Sequence, residues 1–273
     1  MHADSYFQIG AAHIKSGMPC QDYAIARVEE EAAIAIVSDG CSSGGLTDVG
    51  ARVLAHTMAR MYNYSDVHDR APLMERIAHM IATTRYSLGL DWRDMLATVV
   101  YAIVDKIDRK VVFYGDGTCI VRYPDKVLTV TLEFAENAPY YMVYSMTSVL
   151  SSYKSVYKGN PAPLCVHYRL DTKDGYSEWD EHVGVDDLER GVTVNIEEGA
   201  QQVVIFTDGI SNFSCSGSGK EKDPNLPIDT LTGFKNVSGE YIKRRMARGI
   251  RDLADEGYTL MDDIAAAGIY LGE

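Results

Sequence analysis

Residues 33–45 read AIAIVSDGCSSGG, an apolar run that halts on Asp39 and Gly40 and passes into small residues. An apolar run of strand length closed by an acid and a turn-forming glycine reads as a buried strand whose last residue is held in a fixed position. The device recurs. VVFYGDG brings Asp116 to the same kind of place, VVIFTDG brings Asp208, and MDDIAAAGIYL opens its strand with Asp262 and Asp263. Acids mounted this way can converge, and convergent carboxylates repel one another unless the protein raises their pKa values or supplies cations. Hard oxygen ligands suit Mg²⁺ or Mn²⁺, which need only a few carboxylates and leave room for water and a substrate phosphate. A divalent-metal site is what the edges support together. Each alone has a bland reading as a strand end, three of them as Asp-Gly turns, and Asp105, Asp108 and Asp125 occupy similar turns that read as structural.

Around these edges the chain opens with β-capable runs, SYFQIGAAHI and YAIARVEEEAAIAIVSDG, with EEE as a polar hairpin turn. Thr47 is an N-cap candidate for a helix carrying Val49, Val53, Leu54 and Met58 near helical spacing; a second helix carries Leu73, Ile77, Met80 and Ile81. LATVVYAIV, VVFYGDG, CIVRY and VLTVTLEF follow as strands at meander spacing. Residues 135–200 show no steady period and read as an irregular elaboration, although YYMVYSMTSVLSSY is also compatible with a helix. QQVVIFTDG restores a strand, SNFSCSGSGKEKDPNLP reads as a mobile loop, GEYIKRRMARGIRDLADEG as a helix and DDIAAAGIYL as a closing strand. Strands in runs and helices in pairs predict antiparallel sheets covered by helices, an α+β class, rather than alternating parallel βαβ units.

The 273 residues, 46% hydrophobic and 24% charged, show no composition break or linker, so one domain over 1–273 is expected. Lys and Arg total 26 against 39 Asp and Glu; the net charge of −13 has the wrong sign for nucleic acid or an anionic membrane surface. The five cysteines are odd in number and never form a CxxC pair, which suggests neither a disulfide framework nor a thiolate zinc site and fits a reducing cytoplasm. The amino terminus lacks the apolar core of a signal peptide, and no stretch approaches the roughly 20 apolar residues that span a bilayer. A soluble cytoplasmic monomer is the expectation.

GMPCQDY, IVSDG, MLATVV, VVFYGDG, VVIFTDG and MDDIAAAGIYL, in that order, resemble the metal-dependent protein phosphatase 2C family, its divergent bacterial members above all. The resemblance covers about 21–134 and 200–271. It implies a four-layer α-β-β-α sandwich, two central antiparallel sheets flanked by helices, with a centre of two Mn²⁺ or Mg²⁺ ions at one end. Carried over by position, Asp39 bridges the two ions and Gly40 offers its carbonyl to one, Asp208 and Asp262 hold the other, and Asp116 helps bind a third. Asp22 matches the acid that supports the metal-bound water. The implied reaction is attack by a water bridging the ions on a phosphoserine or phosphothreonine ester of a protein substrate.

The chain departs from the family where many members carry Glu and it has Gln21, a neutral oxygen ligand. Cys41 stands where animal members carry a His that protonates the leaving group. The phosphate-binding Arg of those members has no match; His13 and Lys15 are the nearest candidates. These departures motivate a second reading, a weakly active or inactive phosphatase-like module that binds a phosphoprotein or regulates a partner. The middle segment, rich in Tyr and with Trp179, is expected to cover the cleft and select the substrate.

Other phosphatase chemistries fail by inspection. Six positions after each cysteine stand Ala26, Thr47, Asp125, Asp171 and Glu221, none of them the Arg of a cysteine phosphatase loop, and no Asp-x-Asp, GxxxxGK[ST] or HExxH occurs. His56, His79, Cys119 and the basic IKRRMARGIR read as structural or solvated.

Overall fold

The computed structural model describes residues 1–30, 32–62, 70–146, 153–155, 162–215 and 226–272. Two antiparallel sheets dominate. The larger runs β1 (His2–Gln8), β14 (Ile264–Tyr270), β11 (Gln202–Phe206), β6 (Gly117–Arg122), β7 (Lys126–Phe134), β8 (Leu164–Thr172) and β9 (Gly175–Val183). The smaller runs β10 (Val192–Asn195), β5 (Arg109–Tyr114), β4 (Val99–Val104), β3 (Ala32–Asp39) and β2 (Asp22–Glu29). A short pair, β12 (Phe213–Cys215) and β13 (Tyr258–Leu260), stands apart.

Strand alternation divides the core into three layers. Ala33, Ala35, Val37, Val100, Ala102, Val111 and Phe113 of the small sheet meet Cys119, Val121, Val130, Val203, Ile205, Ala265 and Ala267 of the large one. The opposite face of the small sheet, with Ile34, Ile36, Tyr101 and Tyr114, packs on Leu54 and Met58 of α2 (Thr47–Tyr62) and on Ile77 and Ile81 of α3 (Arg70–Leu88). The far face of the large sheet, with Ile120, Val204, Phe206 and Ala266, packs on Tyr241, Ile242, Met246 and Leu253 of one helix and Leu231 of another. Those helices are α5 (Tyr241–Asp255) and α4 (Leu226–Thr232); α1 is the short Ala11–Ser16. The result is the α-β-β-α order that the family resemblance implies. Because helices cover one face of β3 and the other sheet covers the second, its sequence is continuously apolar instead of alternating.

The register gathers the strand-edge acids at one end. Asp22 begins β2 directly opposite Asp39 at the end of β3, and the Asp39 carbonyl accepts from the Thr98 amide just before β4. Asp116 occupies the β5–β6 turn, Asp208 follows β11 and Asp262 precedes β14. Gly115 and Gly117 flank Asp116 with φ of 107° and 141°, a backbone that side chains disfavour.

Two parts of the sequence reading are corrected. The start of the chain splits, with SYFQ inside β1 and AAHIKS forming α1. Residues 135–200 are not irregular throughout: β8 and β9 form a hairpin that extends the large sheet, and β10 edges the small one. Every residue of β9 from Gly175 to His182 is exposed, so neither face needs apolar residues and the two-residue period is lost. Within YYMVYSMTSVLSSY only a short 3₁₀ turn, Met142–Met146, is described before residue 147; most of the loop read from SNFSCSGSGKEKDPNLP lies outside the described residues. Among the described residues no helix is long and apolar enough to cross a membrane.

Candidate metal centre

Asp22 is buried at the sheet end, directly opposite the half-buried Asp39, and the two carboxyl groups act strongly on each other. Asp22 Oδ2 also accepts a 2.6 Å hydrogen bond from Thr207 Oγ1, and Thr207 Oγ1 accepts 2.9 Å from the Ala265 amide. The Asp39 amide donates to Thr98 Oγ1 at 3.1 Å. Asp208 Oδ2 accepts from Asn212 Nδ2 at 3.1 Å.

The electrostatics are those of a crowded anionic site. Burial pushes Asp39 well above the usual carboxylate range, with Asp22, Asp208 and Asp116 adding to the rise. Burial likewise raises Asp22 against the lowering effect of its hydrogen bonds. Asp116 is pushed up to about 7 by burial and by Asp208, and Asp208 is raised by burial and by Asp262. The charged neighbours behind these shifts are carboxylates, not cations. A cleft of about 240 Å³ opens here, lined by Asp116, Asp208, Asn212, Thr131 and Glu133.

Asp262 and Asp263 are adjacent but play opposite parts. Asp263 is buried and binds three segments together: Oδ1 accepts from the Gly10 amide at 2.7 Å and Oδ2 from the Gln21 amide at 2.6 Å. His13 Nδ1 lies 2.9 Å from the same Oδ2, at ion-pair distance though not aligned as a hydrogen bond. Asp262 is exposed, its Oδ1 accepting from the Asp263 amide at 2.8 Å, and its charge reaches Asp208. Gly10 makes this approach possible, since a Cβ there would overlap the Asp262 backbone.

Gln21 Nε2 donates to Thr47 Oγ1 at 2.8 Å, and Thr47 Oγ1 donates to the Cys41 carbonyl at 3.0 Å. Its Oε1 is buried and has no hydrogen-bond partner. An orphaned carbonyl oxygen costs free energy unless something takes it up. Together with mutually repelling carboxylates, it makes an oxygen-only donor set that fits Mg²⁺ or Mn²⁺.

The sequence-selected residues therefore separate. Asp22, Asp39, Asp116 and Asp208 interact as one electrostatic group, with Asp262 at its rim beside Asp208. Gly40 follows directly, its amide donating to the Gln21 carbonyl at 3.1 Å. His13 reaches the edge of the site through Asp263. Lys15 is exposed and, among the described residues, forms no ion pair with these acids.

Sequence reasoning missed Asp263 as a clamp and Tyr141. The Tyr141 hydroxyl stands beside the Cys41 thiol; burial, that neighbour and the charges of Asp39 and Asp116 push its pKa up. Burial pushes the Cys41 thiol up, but bonds from Ser43, Tyr141 and nearby backbone outweigh it and hold the thiol below its ordinary value. Tyr141 belongs to the middle segment, as does Asn137, which lines the cleft beside Asp116 and Asp208. Trp179 instead stacks flat on Tyr168, ring centroids 5.0 Å apart.

With this geometry in hand, comparison with known proteins is specific. The family model "Protein phosphatase 2C" matches residues 9–244, and the chain belongs to that family. No curated protein matches it. Among solved structures it is similar to the serine/threonine phosphatase Stp1 from Staphylococcus aureus, with 10% identity, TM-score 0.56, and 100% of this chain and 96% of that one covered. It is similar to the S. agalactiae serine/threonine phosphatase, with 12% identity, TM-score 0.54 and 99% of each chain covered. A third is the phosphatase domain with a regulatory fragment of the cell fate determinant SpoIIE from Bacillus subtilis, at 13% identity and TM-score 0.50. There 99% of this chain is covered, but it spans only 62% of that chain's length. At these identities the likeness is one of fold.

Proposed function

We propose that the protein is a metal-dependent serine/threonine phosphoprotein phosphatase, with the whole chain acting as one catalytic unit. The observation that carries this reading is the mutually repelling group of buried Asp22 and half-buried Asp39, Asp116 and Asp208 at the strand ends of a protein phosphatase 2C family member. Asp39, the Gly40 carbonyl, Asp208 and Asp262 would hold two Mn²⁺ or Mg²⁺ ions, with Asp116 available to a third and Gln21 Oε1 to a coordinated or bridging water. Such ions supply an activated water and neutralise phosphoryl oxygens.

The chain's own residues do the rest. The Asp22 carboxylate, positioned by Thr207, orients water at the cluster and can take up its proton. Asp39 is rigidly placed by the Thr98 bonds to its amide and carbonyl, which fixes the line of attack. Tyr141 and Cys41, beside Asp39, are candidate proton donors to a leaving alkoxide, where animal members use His. His13, held beside Asp263, is the candidate to contact a phosphate at the Asp262 rim. A protein substrate in a reducing cytoplasm suits the net charge of −13 and the cysteines, all of them free.

The second reading, a phosphoprotein-binding or regulatory module with little turnover, rests on Gln21 and Cys41 standing where other members carry Glu and His, and on Lys15, which is exposed and, among the described residues, pairs with none of these acids. Initial rates on a phosphothreonine peptide separate the two. Turnover with Mn²⁺ that EDTA abolishes supports the phosphatase; a folded protein that retains the peptide but releases no phosphate supports the module.

A further inference from the structure

Away from the acidic centre, the β8–β9 hairpin carries a second set of metal-type donors. Leu164 and Val166 of β8 are fully buried toward the core, so alternation turns Cys165 and His167 to the other face. Antiparallel register sets Cys165 opposite His182 and His167 opposite Asp180, and residues directly opposite share a face. On the other side, Glu133 of β7 is opposite Cys165. Cys, His, Asp and His thus come together from two neighbouring strands, with a Glu beside them.

Side-chain geometry agrees. His167 Nδ1 is 2.8 Å from Asp180 Oδ1 and 3.9 Å from Cys165 Sγ, and His167 Nε2 is 3.6 Å from Glu133 Oε2. One donor atom each of Cys165, His167 and Asp180 lies within 4.8 Å of the others. Three donor atoms this close together can share one tetrahedral cation after small side-chain adjustments.

We propose that Cys165, His167, Asp180 and His182 form a zinc site that staples the edge hairpin β8–β9. Zn²⁺ replaces the Cys165 thiol proton, which leaves to solvent, and takes the two imidazoles as neutral ligands. The hairpin needs such a staple because β9 is a sheet edge exposed along nearly its whole length. Glu133 links the site to the cleft, since it also lines that cavity beside Asp116 and Asp208. The local motifs that betray zinc in sequence are missing because CVH and DEH lie on separate strands and meet only through register. The site is independent of the phosphatase reading.

The test is a Co²⁺ titration of the full chain in excess Mg²⁺, which occupies oxygen-only sites. Expected is a near-ultraviolet thiolate-to-cobalt charge-transfer band that saturates at one equivalent and is bleached by Zn²⁺. It is lost in Cys165→Ser and kept in Cys41→Ala. No band in the wild type, or a band that survives Cys165→Ser, overturns the proposal. A measurement needing no variant is alkylation of Cys165 read by peptide mass spectrometry. Zn²⁺ should protect it at least tenfold; equal labelling with and without Zn²⁺ contradicts the site.

Discussion

Asp22 and Asp39 face each other directly across the β2–β3 ladder, the first buried and the second half-buried, and the charge of Asp22 pushes the Asp39 carboxyl up. Two ionised carboxylates cannot hold that position alone, so the protein spends stability on the pair unless a proton or a cation intervenes. The first prediction follows from this. Asp39→Asn removes one charge without changing shape, and should lower turnover by about 10²-fold or more. In EDTA the same variant should be the more stable, by about 1 kcal/mol, a rise of roughly 2–4 °C in Tm. Calorimetry of both proteins checks it.

The stability of the EDTA-treated protein should depend on pH in a set direction. Asp116 is raised to about 7, and Asp39, Asp22 and Asp208 are raised too. A carboxyl whose pKa is higher folded than unfolded contributes stability below its unfolded pKa and loses it as pH rises through the folded value. Thermal midpoints in EDTA should therefore fall between pH 6 and 8, on either side of that value of about 7. Mn²⁺ should flatten the fall. Equal midpoints across this range would count against the charge crowding described above.

Adjacent Asp262 and Asp263 should give opposite phenotypes. Asp263→Ala strands the Gly10 and Gln21 amides in a buried setting, at a cost of roughly 2–5 kcal/mol. Asp262→Asn alters an exposed side chain and should leave Tm within about 0.5 kcal/mol equivalent while weakening Mn²⁺ binding. Denaturant unfolding and Mn²⁺ titration of the two variants separate clamp from ligand.

Thr207→Val deletes the donor to Asp22 and the acceptor of the Ala265 amide at nearly constant volume. A loss of roughly 1–3 kcal/mol is expected. The activity profile against pH should also shift, because Asp22 loses a bond that lowers its pKa. An unchanged profile would remove Thr207 from the positioning of Asp22.

Legibility in the sequence followed burial. The strands bearing Asp39, Asp116 and Asp208 are covered on both sides, so their apolar runs and abrupt acidic ends stand out, and the sheet order then brings those ends together. In the β8–β9 hairpin only the start of β8 meets the core, through Leu164 and Val166, and β9 is exposed along nearly its whole length, so the pair shows no sustained apolar period. Asp263 was hidden for a different reason: neighbours on an extended chain point opposite ways, and which of two adjacent acids turns inward is decided by Gly10 and Gln21, far away in sequence. Tyr141 meets Cys41 only through the tertiary fold.

The central claim is that the Asp39 cluster is a divalent-cation centre, and its most direct test is calorimetric titration of Mn²⁺ into EDTA-stripped, dialysed protein. Zn²⁺-type donors at β8–β9 are kept out of the count by using Cys165→Ser as the background for both samples. The account predicts that this protein binds two Mn²⁺ ions and that adding Asp39→Asn abolishes the tighter step. Identical isotherms with and without Asp39 would contradict it.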